Sequence, residues 1–439
     1  MNRNFFQKII PFIPLLAVLL LLLIKPYYIF PTTGDTDFHL IRAQELIQSP
    51  LQGLFWDYLP YSPNGRALWH PPLFHSVLAF LWYLGGLRFA HSFLCVFQII
   101  LTVFVTSWVA KKDYGIIAGF FAGILTLATN RIDILTVPLP ATYIPILSVL
   151  TIHYLPKNKF KAFLASLLGV WTHMMGLIIF IALFMVDGVR NKKNLKMILL
   201  LLPSIIFWIS YWIMFRDKTG ATNQINPILY FPPGNNLSGL IILLAFGFLG
   251  LYWLYNKDNE RFKLYSTYIL LVILIEFIFE DFARGFSYAS LPLAILAGFS
   301  IQKIYNHCKI NYKRTFANLM IVLLVFVSII GASPFFISIY SNEASWEYLN
   351  IPFETNYTQL NSFIYENTDK TEVIWAESAI ADKIIWMTGR KISNGKYGKP
   401  KDFQEQHQKI NIYASNDTFI IKDYNNNTLK QISNAIKVF

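Results

Sequence analysis

Residues 31–42 read PTTGDTDFHLIR and come directly after the first long apolar run of the chain, roughly residues 11–30. The stretch carries four ionisable side chains, those of Asp35, Asp37, His39 and Arg42. Ionisable groups at the edge of a bilayer are costly unless they are solvated or used. We therefore interpret the rest of the sequence as a scaffold that holds this stretch at one membrane face.

The composition indicates a polytopic membrane protein. Of the 439 residues, 55% are hydrophobic and only 14% are charged, which lies outside the range of soluble globular domains. The net charge of +12 does not indicate nucleic acid as a partner, because much of it lies in short loops between apolar runs. Such loops set the orientation of membrane helices.

Charge distribution predicts eleven spans, with the N-terminus cytoplasmic and the C-terminus external. Arg3 and Lys8 precede the first apolar run, which places them inside. The apolar segment Leu73–Leu87 either crosses the membrane or lies along its interface. Because non-crossing places Lys111–Lys112 and the lysines at 157–161 in the cytoplasm, the positive-inside rule favours the interfacial alternative.

The apolar run 162–186 leaves one basic loop and enters another, and the sequence WTHMMG interrupts it. Both basic loops are cytoplasmic only if the run forms a hairpin of two short helices. We therefore predict a turn near Thr172–His173.

The composition changes at Ser341, after which the chain is polar and rich in Asn. A helix-like piece at 358–368 alternates with short apolar strands at 371–376 and 418–424. We predict a membrane domain over residues 1–340, in which residues 31–90 form a long external loop with interfacial helices. A small external α/β domain follows over residues 341–439.

Asp35 and Asp37 are the first candidates for chemistry. Paired carboxylates can ligate a divalent cation bound to phosphate oxygens, or one of them can orient an acceptor as a base. The alternative is a solvated loop that caps the next helix.

Two further polar features are predicted on the same outer face. Arg131 and Asp133 lie in the loop NRIDILTVPLP, which could also be an ordinary turn. Glu280 and Arg284 lie between two spans, where an arginine can clamp a phosphate or form a local ion pair at a helix end.

The loop around residues 64–75 carries Arg66, His70 and His75 between aromatic residues. These side chains suit sugar or lipid-phosphate contacts, and the aromatics equally suit an interfacial belt. His173, in the predicted turn, faces the same side; a histidine there is more often a hydrogen-bonded turn residue than a ligand.

The chain contains no Walker, GxGxxG or GxSxG motif, so it shows no energy source of its own. An enzyme at the outer face then needs a pre-activated donor, for which a polyprenyl-linked sugar phosphate is suitable. The alternatives are a transporter of lipid-linked oligosaccharides and a relative that binds without catalysis.

The segment DTDFHLIRAQEL at 35–46, followed by PNGRALWHPPLFH at 63–75, resembles the first external loop of GT-C fold glycosyltransferases. It is most similar to archaeal oligosaccharyltransferase catalytic subunits. The resemblance implies that Asp35 or Asp37 lies at the catalytic centre and contacts the acceptor and a metal ion.

Three later segments extend the resemblance. Residues 130–147 resemble the second external loop, although only Asp133 matches its acidic pair and Arg131 stands in place of the other acid. Residues 281–301 resemble the arginine-bearing entry to a late span, which implies that Arg284 holds the donor phosphate. Residues 373–395 resemble the segment that carries WWDYG in oligosaccharyltransferases, but WWDYG itself is missing, which argues against sequon-directed N-glycosylation.

Together these observations predict an all-α, GT-C-like polytopic domain with about eleven transmembrane helices and a glycosyltransferase activity in the cell membrane. Its partners are the polyprenyl-phosphate sugar donor, membrane lipid and a glycan, protein or lipid acceptor. The predicted catalytic residues are Asp35 and Asp37, and the predicted ligands of Mg²⁺ or Mn²⁺ are Asp35, Asp37 and Asp133. The predicted substrate-binding residues are His39, Arg42, Arg66, His70, His173, Glu280 and Arg284.

Overall fold

The structure is a computed structural model of the chain. It describes residues 7–24, 35–68, 70–129, 135–190, 192–215, 236–278, 282–312, 314–341, 355–395, 408–415 and 418–433. The chain divides into two compact units, which we call the helical unit and the sheet unit. The helical unit comprises Met1–Pro31, Ser92–Ile205 and Ile225–Glu343, and the sheet unit comprises Thr32–His91, Ile206–Gln224 and Ala344–Phe439.

Helices dominate the described residues. The longer ones are α1 Ile13–Ile24, α2 Thr36–Gln48, α3 Leu73–Tyr114, α4 Ile116–Thr126, α5 Tyr143–Tyr154, α6 Lys159–Thr172, α7 Met175–Arg190, α8 Lys192–Phe215, α9 Leu237–Lys257, α10 Asn259–Ile278, α11 Phe282–Asn311, α12 Arg314–Ser341, α13 Thr355–Asn367 and α14 Ser378–Thr388. Short helical turns cover Ile10–Phe12, Pro50–Gly53 and Pro140–Thr142.

Several of these helices suit a bilayer. Within the described residues, five are long and apolar enough to cross a membrane, namely Gln7–Ile24, Leu73–Tyr114, Leu237–Lys257, Gly285–Asn311 and Arg314–Tyr340. Shorter apolar helices cover Ile116–Thr126, Met175–Val189 and Lys196–Tyr211. The protein is therefore a multi-pass membrane protein, as its composition predicts, while the count of eleven spans stays a prediction.

Helix α11 is central to the helical unit and packs on α4, α9 and α10. In its most apolar stretch of 18 residues, 89% of the residues are buried, whereas the share is 28% in the corresponding stretch of α12. Small residues let the neighbouring backbones approach: a Cβ on Gly298 would overlap the carbonyl of Ala118 in α4, and one on Gly250 would overlap Leu296. Close approach through small residues is the usual way to pack helices within a membrane.

Helical structure is interrupted at two points that the sequence marks, at Thr172–His173 and at the end of the segment Leu73–Leu87. Helix α6 ends at Thr172 and α7 begins at Met175, with His173 in an extended conformation between them. In α3, Gly86 has φ 81° and ψ 168°, so the helix is kinked at the end of the segment Leu73–Leu87. That this segment lies along the membrane interface and does not cross the membrane stays a prediction.

Within its described residues the sheet unit has the strands β3 Val373–Ala376, β4 Lys391–Ile392, β5 Ile410–Ser415, β6 Thr418–Asp423 and β7 Thr428–Ser433. They form one sheet with the order β4-β3-β5-β6-β7. Strand β3 runs parallel to β4 and β5, and the other pairs are antiparallel. Strands β3 and β6 lie within the segments predicted as strands, at 371–376 and 418–424, and α13 overlaps the helix predicted at 358–368.

The loop after α2 joins this sheet. Its short ladder pairs β1 Trp56–Asp57 with β2 Arg66–Ala67. Between them, the carbonyl of Leu59 accepts from Ile392 N at 2.9 Å, and Ser62 N donates to Ile392 O at 2.8 Å. The segment Thr32–His91, which holds most of the predicted external loop, and the C-terminal region Ala344–Phe439 therefore belong to the same compact unit. The domain boundary at residue 341 stays a prediction.

Candidate functional site

Asp35 stands at the N-terminus of α2 with an exposed side chain. Its backbone carbonyl accepts from His39 N at 3.2 Å. Its side chain makes no capping hydrogen bond within the described part of the chain, although aspartate is a preferred capping residue. The alternative that Asp35 serves to cap the next helix is therefore not supported, and an exposed carboxylate lies beside the positive end of a helix dipole.

Asp37 lies in the first turn of α2 and is half-buried. Its Oδ1 accepts a hydrogen bond from the indole Nε1 of Trp386 in α14, at 3.0 Å. The helix N-terminus also favours a negative charge at this position. Local sequence could not reveal this contact, because its partners are 349 positions apart.

Three histidines, His39, His70 and His75, gather around the ring of Phe38 in α2. Nδ1 of His39 and Nε2 of His75 are 2.9 Å apart, and both side chains are buried. The ring of His70 lies 6.1 Å from that of His39 and 6.4 Å from that of His75, measured between centroids. Because a hydrogen bond needs one donor and one acceptor, the two bonded nitrogens of His39 and His75 cannot both carry protons.

No three His, Cys, Asp or Glu side chains among the described residues are arranged to hold a metal ion. The predicted cation site cannot be assembled from them, since Asp133 lies outside the described residues. Asp35 and Asp37 supply the hard oxygen ligands that Mg²⁺ or Mn²⁺ prefers.

Arg42 and Arg66 belong to a buried network of charges. Arg42 is 1% exposed and contacts Glu45 closely, with Asp57 at 3.7 Å. Arg66, 2% exposed, donates from Nε to Asp57. Glu45 in turn accepts from Leu59 N at 2.8 Å through Oε1. Two positive and two negative side chains thus balance one another away from water.

This placement favours a structural role for both arginines over the predicted contact with substrate. Desolvation by burial lowers the pKa of Arg42 to about 10, so it stays charged at neutral pH. The guanidinium of Arg66 also lies 5.5 Å from the centroid of the Phe38 ring. Sequence reasoning missed Glu45, although its spacing of three from Arg42 is that of a helical ion pair.

The other predicted site residues belong to the helical unit. His173 is partly exposed, and its Nδ1 accepts from Met175 N at 3.2 Å, as a turn histidine would. Arg284 lies in the first turn of α11, and its side chain is outside the described part. Glu280 and Asp133 also lie outside the described residues.

A second polar cluster, missed by sequence reasoning, lies within the helical unit. Asp113 accepts from Nδ1 of His153 at 2.9 Å and from Arg261 at 3.1 Å, and it also pairs with Lys157. The cluster joins the end of α3 to α5 and α10, and it includes Lys157, one of the lysines that the charge distribution places in the cytoplasm.

Comparison with solved structures shows the fold. The chain is similar to ArnT from Cupriavidus metallidurans bound to undecaprenyl phosphate, with a TM-score of 0.54 and 11% identity over 86% of this chain and 85% of that one. It is also similar to the oligosaccharyltransferase AglB from Archaeoglobus fulgidus in complex with an inhibitory peptide and a dolichol-phosphate. That match has a TM-score of 0.58 and 12% identity over 90% of this chain and 65% of AglB.

A scan of protein-family models and a search of curated protein sequences gave no match. The structural likenesses confirm the fold that the resemblance of the first external loop implied.

Proposed function

We propose that this chain, which has the GT-C fold, is an integral-membrane glycosyltransferase. It moves a sugar from a polyprenyl-phosphate-linked donor to an acceptor at the external membrane face. The observation that carries the proposal is the exposed carboxylate of Asp35, which makes no capping hydrogen bond to α2 and lies two residues before Asp37. The fold is similar to those of ArnT and AglB. The structures of those two proteins were solved with undecaprenyl phosphate and dolichol-phosphate respectively.

The reaction needs a base for the acceptor and a stabilised leaving group. In our proposal Asp35 or Asp37 orients the acceptor and takes its proton as the acceptor atom bonds to the anomeric carbon. The bond from that carbon to the phosphate oxygen breaks, and its electron pair leaves with the polyprenyl phosphate. Arg284 stabilises the charge that develops there, which is the larger electrostatic requirement.

Asp35 and Asp37, together with Asp133, would hold a divalent cation. Bound there, Mg²⁺ or Mn²⁺ would neutralise phosphate charge as a Lewis acid. His70, which is partly exposed, is the better placed histidine for contact with a sugar, because His39 is buried and bonded to His75.

The proposed orientation follows from the charges of the loops. The N-terminus is cytoplasmic, and both Asp35 and the C-terminal region are external. The absence of WWDYG from the sequence leaves a glycan, a lipid or a protein hydroxyl as the acceptor class.

The test is transfer by the purified full-length chain in liposomes, with radiolabelled sugars linked to undecaprenyl phosphate and with glycan, peptide and lipid acceptors. Asp35→Asn and Asp37→Asn are compared with Asp369→Asn, a matched change at an exposed aspartate of the same unit. Loss of a catalytic base lowers the rate by about 10²–10⁴-fold, and the control keeps the wild-type rate.

Wild-type transfer by both Asp35→Asn and Asp37→Asn would refute the proposed roles. Movement of labelled lipid across the liposome membrane, without transfer to any acceptor, would instead support the transporter alternative.

A further inference from the structure

We infer that Trp386 is a positioning residue for the Asp37 carboxylate, so that the C-terminal region sets the geometry of the transfer site. The inference rests on the proposed function. It concerns a side chain from residues 373–395, the segment that resembles the WWDYG-bearing segment of oligosaccharyltransferases.

The contact has a fixed direction. The indole Nε1 of Trp386 is a donor only, and an ionised carboxylate is an acceptor only, so Trp386 donates to Asp37 Oδ1 across 3.0 Å. Hydrogen bonds to a charged group are stronger than neutral ones. The indole is 4% exposed, so little water competes for the carboxylate oxygen it holds.

Helix α14 is a rigid support for this donor. Ile384 and Ile385, which precede Trp386, are both fully buried. The helix ends at Thr388, and the following residue, Gly389, has a φ of 65°, a left-handed conformation that suits glycine after a helix C-terminus. The indole is therefore fixed by the packing of its own helix and not by its contact with Asp37 alone.

The same two helices are joined at a second point. Gln48, the last residue of α2, donates from Nε2 to the carbonyl of Gly389 at 3.1 Å. A Cβ on Gly389 would overlap Gln48 Nε2, so the approach depends on glycine. Asp37 and Gln48 are separated by roughly 16 Å along α2, from the helical rise per residue. Two contacts this far apart fix the direction of α2 as well as its position.

The loop beyond α2 adds a third attachment. Tyr61 donates from its hydroxyl to the carbonyl of Gly395 at 3.0 Å, and Ser62 pairs with the backbone of β4. Helix α2 is thus held to the C-terminal region along its length and through the loop that follows. A small displacement of α14 would move the carboxylate of Asp37 with it.

The experiment compares Trp386→Phe with Trp375→Phe in the full-length chain. Trp375 is also buried in the sheet unit, where its ring packs against that of Tyr413 in a tilted arrangement, with the ring centroids 4.9 Å apart. Both changes remove one indole from the same unit. We expect Trp386→Phe to lower kcat for transfer from undecaprenyl-phosphate-linked sugars by about 10-fold, with KM for the donor unchanged, and Trp375→Phe to retain kcat.

A double-mutant comparison separates positioning from packing. Because the indole acts through Asp37, adding Trp386→Phe to Asp37→Asn should cause no further loss of kcat. Should Trp386→Phe fail to fold, replacement of Trp386 by benzothienylalanine removes only the N–H donor and decides the question.

Wild-type kcat in Trp386→Phe or in the benzothienylalanine protein overturns the inference. It is also overturned if Trp386→Phe lowers kcat by the same factor in the Asp37→Asn protein as in the wild type. Full activity of Asp37→Asn would instead contradict the role of Asp37 in the proposed function. An inactive Asp37→Asn with a fully active Trp386→Phe sinks only the positioning role.

Discussion

Glu45→Gln tests whether the buried charge network holds the first loop in place. Glu45 is 0% exposed and Arg42 is 1% exposed, so the substitution leaves one positive charge in excess among four buried side chains. Removing one partner of a buried ion pair costs about 3–5 kcal/mol. Arg42 keeps Asp57 at 3.7 Å and the carbonyl of Trp56 at 3.2 Å, so we expect the lower end, about 3 kcal/mol.

For a unit of about 150–250 residues, 3 kcal/mol corresponds to a drop of about 6–12 °C in the melting temperature. The assay is thermal unfolding of the full-length chain in detergent, with hydrogen exchange of residues 54–67 as the local readout. Glu366→Gln, at an exposed position on α13 of the same unit, removes the same charge and should cost less than about 0.5 kcal/mol.

Equal melting temperatures and equal exchange in the two variants would refute the structural role of the network. Arg42 would then again be a candidate for contact with substrate. A large drop in stability, with KM for the donor unchanged in the folded fraction, fits the network as described.

Three further predictions follow from the geometry. Gly389→Ala adds a Cβ that overlaps Gln48 Nε2, and it places a side chain on a residue with a φ of 65°. It should therefore lower the melting temperature, and adding Gln48→Ala should recover part of the loss. Full stability of Gly389→Ala would contradict the close approach of Gly389 to Gln48. Gly250→Ala brings a Cβ onto the backbone of Leu296 in α11 and should cost about 1–3 kcal/mol by overpacking, measured by denaturant unfolding, whereas a neutral effect would mean that α9 and α11 are farther apart. Burial raises the pKa of Tyr58 to about 12 from 10.0. The stability that Tyr58 contributes is therefore complete below pH 10 and falls as the pH rises towards 12. In a pH series, the melting temperature of Tyr58→Phe should fall less steeply over this range than that of the wild type.

Features that depend on neighbouring residues could be predicted from the sequence. The break at Thr172–His173 follows from the charges on either side of one apolar run, and the apolar strands at 371–376 and 418–424 follow from local composition. The fold class follows from a series of short motifs that begins at Asp35 and extends over most of the chain. Each of these signals, taken singly, depends only on residues close together in the sequence.

The contacts that shape the candidate site could not be predicted in this way. Whether Arg42 meets a substrate or Glu45 depends on whether water reaches it, and burial is decided by segments far away in the sequence. Asp37 accepts a hydrogen bond from Trp386, while Trp375 of the same segment packs against Tyr413. Periodicity identifies the helix that carries each tryptophan or aspartate but not the tertiary neighbour of its side chain.

The pairing of Leu59 and Ser62 with β4 has a consequence for biosynthesis. This early segment is translated long before residue 392, with which it shares two backbone hydrogen bonds. Residue 392 must therefore leave the ribosome before the amide and carbonyl groups of the early segment meet their partners. A fragment starting at residue 341 would leave the outer side of β4 open to pairing with other chains, and a protein shortened before β4 would leave the loop after α2 without its docking strand.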